Sequence, residues 1–185
     1  MGENVGSDVL FFTEAVRLSK EIEKPDLGED ELILLVLGVV DKPVQGKVVI
    51  QKEIFLFYQE LKDKLKIIDP RFVPFKYGPF SFRIATLLDL LEYLGFIVVT
   101  NRGRRRLARY SLTEKGRKYA EEVIEKIRRK LGDEYVEKLK RLRQGLDELG
   151  HDGILRYVYQ YYSQYTDKSE LKDKYARIDW GVTEA

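Results

Sequence analysis

The sequence predicts a mainly helical fold that contains one small β-hairpin. Over most of its 185 residues, apolar side chains recur every three or four positions, which is the period of one face of an α-helix. In residues 96–112 this period changes, because a β-branched run is followed by a glycine-containing turn and a second short apolar segment. We therefore expect helices on both sides of a single hairpin.

Two helices are expected in the first part of the chain. Ser7 or Asp8 can cap a helix over residues 7–23, which a Lys-Pro-Asp-Leu-Gly segment then ends. A second, strongly apolar helix is expected over residues 29–40. Residues 41–47 contain both proline and glycine, so we expect a turn there.

Two further helices are expected before the hairpin. A helical pattern of apolar residues runs from Val48 to Leu65. Residues 67–78 contain two prolines and are expected to be irregular chain. Ser81 is a suitable N-cap for the next, leucine-rich helix, and Gly95 is well placed to end it in the left-handed conformation.

The hairpin is expected to have strands over residues 96–100 and 107–112, and the rest of the chain is expected to be helical. Thr113 begins a helix that ends near Gly132, and two more helices follow over residues 135–149 and 152–165. The heptad-like stripes on these helices are short. The sequence therefore leaves open whether the terminal helices pack within one chain or form a homodimer.

The predicted order of elements is that of a winged helix-turn-helix core with additions at both ends. Residues 29–113 hold three helices followed by a β-hairpin, which is the order of this class. Residues 1–28 form an N-terminal helix and linker, and residues 114–185 form a C-terminal helical extension. In such domains the third helix can enter the major groove of DNA while the hairpin, or wing, lies on the backbone.

Arginines are concentrated at the tip of the predicted hairpin. Residues 101–109 contain five arginines and no acidic residue, although the net charge of the whole chain is only +2. Arginines neutralise phosphates whatever the base sequence, so this segment predicts contact with double-stranded DNA; the alternative is a hairpin tip that only increases solubility. The predicted nucleic-acid-binding residues are Arg83, Arg102, Arg104, Arg105, Arg106 and Arg109.

The third helix favours base recognition less clearly. At 100° per residue, its outward face carries Phe82, Thr86, Asp89 and Tyr93, with no lysine, asparagine or glutamine. An aromatic and nearly uncharged face is equally typical of a surface that docks a protein. Phe82 and Tyr93 are therefore the predicted partner-binding residues of an alternative function, in which the chain binds a protein and no DNA.

Composition argues against several other classes of protein. The chain has no cysteine and a single histidine, His151, and it lacks a phosphate-cradling glycine-rich loop and a nucleophile motif. Its many carboxylates are expected on the solvated faces of amphipathic helices. We therefore expect neither an enzyme, a metal site nor a cofactor.

The chain is expected to be a cytoplasmic protein that binds no membrane. It contains no apolar run long enough to span a bilayer and no secretory signal at its start. The abundance of lysine, glutamate, arginine and tyrosine is typical of the ionic surface of a thermophile's protein.

Several residues also resemble a known prokaryotic family. Gly46-Lys47 and Gln51-Lys52, then the Tyr-Gly-Pro-Phe-Ser block that ends at Ser81, then Leu94-Gly95-Phe96-Ile97, are similar to the YwgA-like family. That family is related to the Panacea (SocA-like antitoxin) domains. A late tyrosine-rich stretch from Ile154 is also similar, although Ser163 stands where a proline is common.

The resemblance covers roughly residues 29–170. It implies a winged-helix-like fold and a role in toxin–antitoxin or mobile-element contexts, either on DNA or on a protein, and it brings no catalytic residue. The Tyr-Gly-Pro-Phe-Ser block also has a purely structural explanation. Proline and glycine shape a tight turn before a helix, and the two aromatic residues can fix the loop to the core.

Overall fold

The computed structural model describes residues 24–104 and 106–171. The helix expected over residues 7–23 lies outside this part of the chain. Within it, the protein is mainly helical with two small antiparallel sheets, which confirms the predicted fold class at this level.

Five α-helices carry most of the described chain: α1 (Glu29–Gly38), α2 (Lys47–Leu61), α3 (Phe82–Tyr93), α4 (Glu114–Leu131) and α5 (Asp133–Tyr161). The strands between and after them are short: β1 (Val44–Gln45), β2 (Val73–Phe75), β3 (Gly78–Phe80), β4 (Ile97–Thr100) and β5 (Arg109–Leu112). A 3₁₀ helix, Ser163–Tyr165, follows α5. The first four helices correspond to predicted helices.

The predicted hairpin forms the greater part of a three-stranded sheet. β4 and β5 pair antiparallel, and β1 pairs with the other edge of β5, giving the order β1-β5-β4. The prediction of a simple turn over residues 41–47 was wrong in missing β1. Two residues are too few to show strand alternation, and Val44 becomes a strand residue only because it lies opposite Tyr110.

The prediction of irregular chain over residues 67–78 was also wrong in part, because β2 and β3 form a small hairpin there. Val73 lies opposite Phe80, and Pro74 lies opposite Pro79. A proline cannot donate to a ladder, but each strand of a two-stranded sheet has a free edge that tolerates it. The prolines therefore shorten this hairpin without preventing it.

The predicted ends of α3 are confirmed. The Ser81 side chain accepts a hydrogen bond from the Ile84 N–H at 3.1 Å. At the other end Gly95 has a φ of 75°, and the Phe96 N–H donates to the Leu91 carbonyl at 2.8 Å, as in a Schellman motif. Capping at both ends fixes the length and direction of this helix.

The hydrophobic core is built around two helices that are buried almost all round. Residues 32–37 of α1 are all buried, and seven consecutive residues of α2 beyond Ile50 are buried as well. α4 contributes Ala120, Val123 and Ile127, and α5 contributes Val136 and Leu139, to the same continuous core. Apart from Leu149, which is exposed, the apolar stripes on α4 and α5 therefore pack within the chain.

α5 bends at the position where the sequence predicted a break between two helices. Gly150 has φ 61° and ψ −171°, which is not a helical conformation. The following turns place Ile154 and Val158 in the core. The kink thus changes the direction of α5, so that the segments before and after Gly150 both pack on the core.

A close approach between α4 and the start of β4 gives the first testable prediction. A Cβ at Gly116 would collide with the Phe96 carbonyl oxygen, which is main chain and cannot rotate away. We expect Gly116→Ala to lower the free energy of unfolding by about 2 kcal/mol or more, as overpacking does. Urea unfolding followed by circular dichroism measures this change.

Gly145→Ala is the matched control for that prediction. Gly145 lies inside α5, and a Cβ there would meet no atom within 4 Å. Alanine has the higher helix propensity, so this variant should gain roughly 0.5–1 kcal/mol. Equal effects of the two substitutions would contradict the close contact at Gly116.

Candidate functional site

Three of the predicted arginines lie on the β4–β5 hairpin and have no ion-pair partner among the described residues. Arg104 and Arg106 lie in its loop and Arg109 begins β5, and all three side chains are exposed. None of them forms an ion pair with another residue that the structure describes. Arg105 lies outside the described residues. The hairpin therefore carries uncompensated positive charge in the region where the sequence predicted it.

Arg102, by contrast, is paired within the protein. Its guanidinium contacts the carboxylate of Asp89 at 3.4 Å and also pairs with Glu92, both on α3. These contacts connect the hairpin to the C-terminal half of α3. Because its charge is already compensated by two acids, Arg102 is less available to a phosphate than its neighbours in the hairpin.

Arg83 is likewise occupied. Its Nη2 atom lies 2.7 Å from Oε2 of Glu29, a carboxylate that is almost completely buried at the start of α1. Removing the guanidinium would leave that carboxylate buried without its cation, which is costly. Arg83 therefore holds α3 against α1, and this contact accounts for its position without a nucleic acid.

The outward face predicted for α3 is exposed in the structure. Phe82 and Tyr93 have exposed fractions of 59% and 86%, and Thr86 and Asp89 between them are exposed as well. Leu90 widens the apolar area on the same side. The face thus combines apolar and aromatic groups with one carboxylate.

Phe82 does not stand alone, because the β2–β3 hairpin supports it. Its ring lies 5.5 Å from the Phe75 ring and 5.0 Å from the Phe80 ring, centroid to centroid, both in edge-to-face arrangements. Such contacts favour a fixed ring orientation. The exposed aromatic group at the start of α3 is therefore preorganised rather than loose.

The largest departure from the sequence prediction is a run of buried polar residues in α2. Gln51, Lys52 and Glu53 are each at most 2% exposed, although they are consecutive. Gln51 binds the main chain of Ser81 twice: it donates to the carbonyl at 3.2 Å and accepts from the N–H at 3.0 Å. This pair of bonds places the N-cap of α3 directly against α2.

Lys52 binds the chain two residues earlier, at Pro79 in β3. Its Nζ atom donates to the Pro79 carbonyl at 2.7 Å, and it forms no ion pair with any carboxylate in the described ranges. Burial disfavours the charged form and lowers the pKa of Lys52 from its ordinary value of 10.5 to about 7. The side chain is thus a main-chain clamp whose charge depends on pH.

Glu53 points toward α5, where it meets a completely buried arginine. Its Oε2 lies 3.2 Å from Nε of Arg143, which also pairs with Asp147 and approaches the Lys42 carbonyl. Burial raises the pKa of Glu53 more than the guanidinium lowers it, and Asp147 raises it further. The prediction that the carboxylates lie on solvated helix faces was wrong for Glu53 and for Glu29.

The burial of these polar residues could have been predicted from the composition of α2, although not from the spacing of its apolar residues. α2 has apolar residues on both sides of the polar run, including four in a row, Ile54-Phe55-Leu56-Phe57. A helix that is apolar all round is buried, and any polar residue on it must then find a partner inside the protein. In the sequence, Gln51 and Lys52 stand out only as part of the resemblance to a family.

Among the described residues there is neither a candidate metal-binding cluster nor a helix that could span a membrane. No group of three or more histidine, aspartate or glutamate side chains in residues 24–104 and 106–171 could hold a metal ion. No helix in these ranges is long and apolar enough to cross a membrane. The chain matches no model of a protein family and no curated protein.

The buried lysine gives a prediction about stability and pH. Because the pKa of Lys52 is lower in the folded protein than in the unfolded chain, its burial cost is complete below about pH 7 and disappears as the pH rises toward 10.5. We expect the free energy of unfolding to increase from about pH 7 to about pH 9.5 through this group, by up to about 1.4 kcal/mol per pKa unit. Urea unfolding across that range measures it.

Lys52→Met is the variant that isolates this contribution. Methionine fills a similar space without a titrating group, so the difference between the two proteins should shrink as the pH rises. Lys118→Met, a change on the exposed face of α4, should leave the pH profile unaltered. Parallel profiles for the wild type and Lys52→Met would show that Lys52 titrates as an ordinary lysine.

Proposed function

We propose that this chain is a non-catalytic winged-helix protein that binds double-stranded DNA mainly through the β4–β5 hairpin. The connectivity supports the fold part of this proposal. The elements run α1, β1, α2, β2, β3, α3, β4, β5, so that the β2–β3 hairpin is inserted between the second and third helices, and β5 lies between β1 and β4 in the sheet. A compact set of three helices followed by a sheet-borne hairpin is the arrangement by which this class presents a helix and a wing.

The observation that carries the proposal is the free charge on the hairpin. Arg104, Arg106 and Arg109 are exposed and have no acidic partner among the described residues. Arginines that already have carboxylate partners gain little from a phosphate, whereas unpartnered ones release counterions from DNA when they bind. The hairpin is therefore suited to backbone contact.

The surface of α3 favours binding that depends little on base sequence. Its exposed face has no lysine, asparagine or glutamine to read a base edge, and Asp89 would repel phosphates. Arg102 compensates this carboxylate in the free protein. Binding through the hairpin should accordingly be dominated by electrostatics and should weaken steeply with salt.

A double substitution in the hairpin tests this function. We expect Arg104→Gln/Arg109→Gln to weaken binding to random-sequence duplex DNA and to reduce the slope of log K against log[salt] by about 2, or about 0.9 for each lost phosphate contact. Fluorescence anisotropy titrations of labelled duplex between about 50 and 200 mM salt measure both effects.

The matched control removes the same charge elsewhere. Arg129 on α4 and Arg141 on α5 are also exposed, and neither forms an ion pair within the described chain. Arg129→Gln/Arg141→Gln should retain nearly all of the affinity. Failure of the wild type to bind at the lowest salt, or equal losses in both double variants, would contradict binding through the hairpin.

The exposed aromatic face of α3 favours a second function, the binding of a protein partner. Phe82 and Tyr93 are held open to solvent at opposite ends of one helix face, with Leu90 beside them. Large aromatic side chains dominate the energetics of many protein interfaces. The resemblance to antitoxin-related domains, which stays a prediction, is compatible with either function.

Substitution of the two aromatic residues distinguishes this second function. If a partner co-purifies with the tagged chain from its native cells, Phe82→Ser/Tyr93→Ser should abolish its recovery, because the centre of the apolar contact is lost. Tyr161→Ser, which changes a similarly exposed aromatic residue at the end of α5, should not. Retention of the partner by the α3 variant would rule out this face as the docking surface.

A further inference from the structure

A cavity of about 230 Å³ lies between the first turns of α2 and the β2–β3 hairpin. Three lysines and three aromatic residues line it: Lys47, Lys52, Lys76, Phe75, Tyr77 and Phe80. No carboxylate among the described residues is part of this lining. A volume equal to about eight water molecules, at ~30 Å³ each, is enough for a small organic molecule.

The charges around the cavity are unbalanced. Lys52 is 2% exposed, and its only partner within residues 24–104 and 106–171 is the Pro79 carbonyl. An ammonium group has three donors, so two of them remain without a protein acceptor in the described chain. A buried cation without a counter-ion is unfavourable, and an anion in the cavity would supply what is missing.

The other charged groups near the cavity do not cancel this excess. Lys47 is exposed and has no ion pair with a described residue. Lys76 contacts Glu170 at 3.4 Å, but both side chains are more than half exposed, so solvent screens that pair. The described lining of the cavity therefore contains three lysines and no carboxylate that offsets them.

The cavity also has an apolar part that fits a ring. Phe75 and Phe80 lie 5.1 Å apart, centroid to centroid, and form one wall. Ligand sites commonly combine such walls with a few polar groups that fix orientation. In addition, α2 begins at Gly46 without a side-chain cap and has no acidic residue in its first turn, so its dipole adds to the positive potential.

We propose that this cavity is a binding site for a small aromatic monocarboxylate, with the carboxylate on Lys52 and the ring against Phe75 and Phe80. A single negative charge matches the single buried ammonium. A phosphate dianion would leave its second charge to the exposed lysines. The proposal is independent of DNA binding, because it rests on the cavity and its lining alone.

Titration of the full-length protein with four probes tests the site: phenylacetate, benzoate, phenylacetamide and inorganic phosphate. Two-dimensional ¹H–¹⁵N NMR locates each binding event. We expect phenylacetate or benzoate to give saturable shifts in residues 47–52 and 75–80. The neutral amide should bind at least tenfold more weakly because it lacks the charge, and inorganic phosphate should also bind more weakly because it lacks the ring.

Variants show whether Lys52 is the group that holds the carboxylate. Lys52→Met should lose the preference for the acid over the amide, whereas Lys118→Met should keep it. If Lys52→Met does not fold, the Cε resonance of Lys52 in the wild type provides the same test, since it should move toward its charged form when the acid binds.

Four outcomes of these titrations would contradict a carboxylate site at Lys52. The proposal is overturned if neither acid gives saturable shifts up to about 10 mM, a limit that corresponds to under 3 kcal/mol of binding free energy. Equal affinities for phenylacetate and phenylacetamide would also overturn it. So would shifts confined to residues outside the cavity, or phosphate binding as tightly as the aromatic acids.

Discussion

The polar side chains of one buried helix, α2, need hydrogen-bonding partners inside the protein, and this requirement fixes the elements that pack around it. α2 lies in the centre of the molecule, and its three consecutive polar residues have no access to water. Each finds a different partner: Gln51 binds the start of α3, Lys52 binds β3 and Glu53 binds Arg143 of α5. Such hydrogen bonds contribute only about 1 kcal/mol each, but leaving one buried group unpaired costs more. The three partners therefore have to approach from three fixed directions.

This constraint extends to the surface through α3. Two bonds from Gln51 fix the residue that caps the helix, and the ion pair between Arg83 and Glu29 fixes the first turn of α3 against α1. At the far end, Arg102 joins the β4–β5 hairpin to Asp89 and Glu92. Polar contacts at the two ends of α3 thus join this helix to the centre of the core and to the arginine-rich hairpin. They give the exposed face of α3 and the free arginines a defined position relative to each other.

Much of this architecture could be predicted from the sequence, because local signals decide it. Ser81, Gly95 and Thr113 mark helix ends by their own chemistry, and the exposed face of α3 follows from counting 100° per residue. β1 could not be predicted, since its pairing partner β5 is distant in the sequence. The β2–β3 hairpin could not be predicted either, since its prolines are typical of irregular chain. The pairing of Arg102 and Arg83 with acids was equally hidden. Lone arginines look alike in a sequence whether or not a carboxylate lies beside them in space.

The clamp that Gln51 and Lys52 form has an evolutionary consequence, because it holds only main-chain atoms of Pro79 and Ser81. Carbonyl and amide groups are present whatever side chain the strand carries. Neighbouring positions such as Phe75 and Phe82 can therefore change identity while the backbone beneath them stays where α2 holds it. Related chains could diversify the aromatic surface beside α3 without rebuilding the core. The main-chain contacts that fix the backbone are thereby separated from the side chains that form the surface.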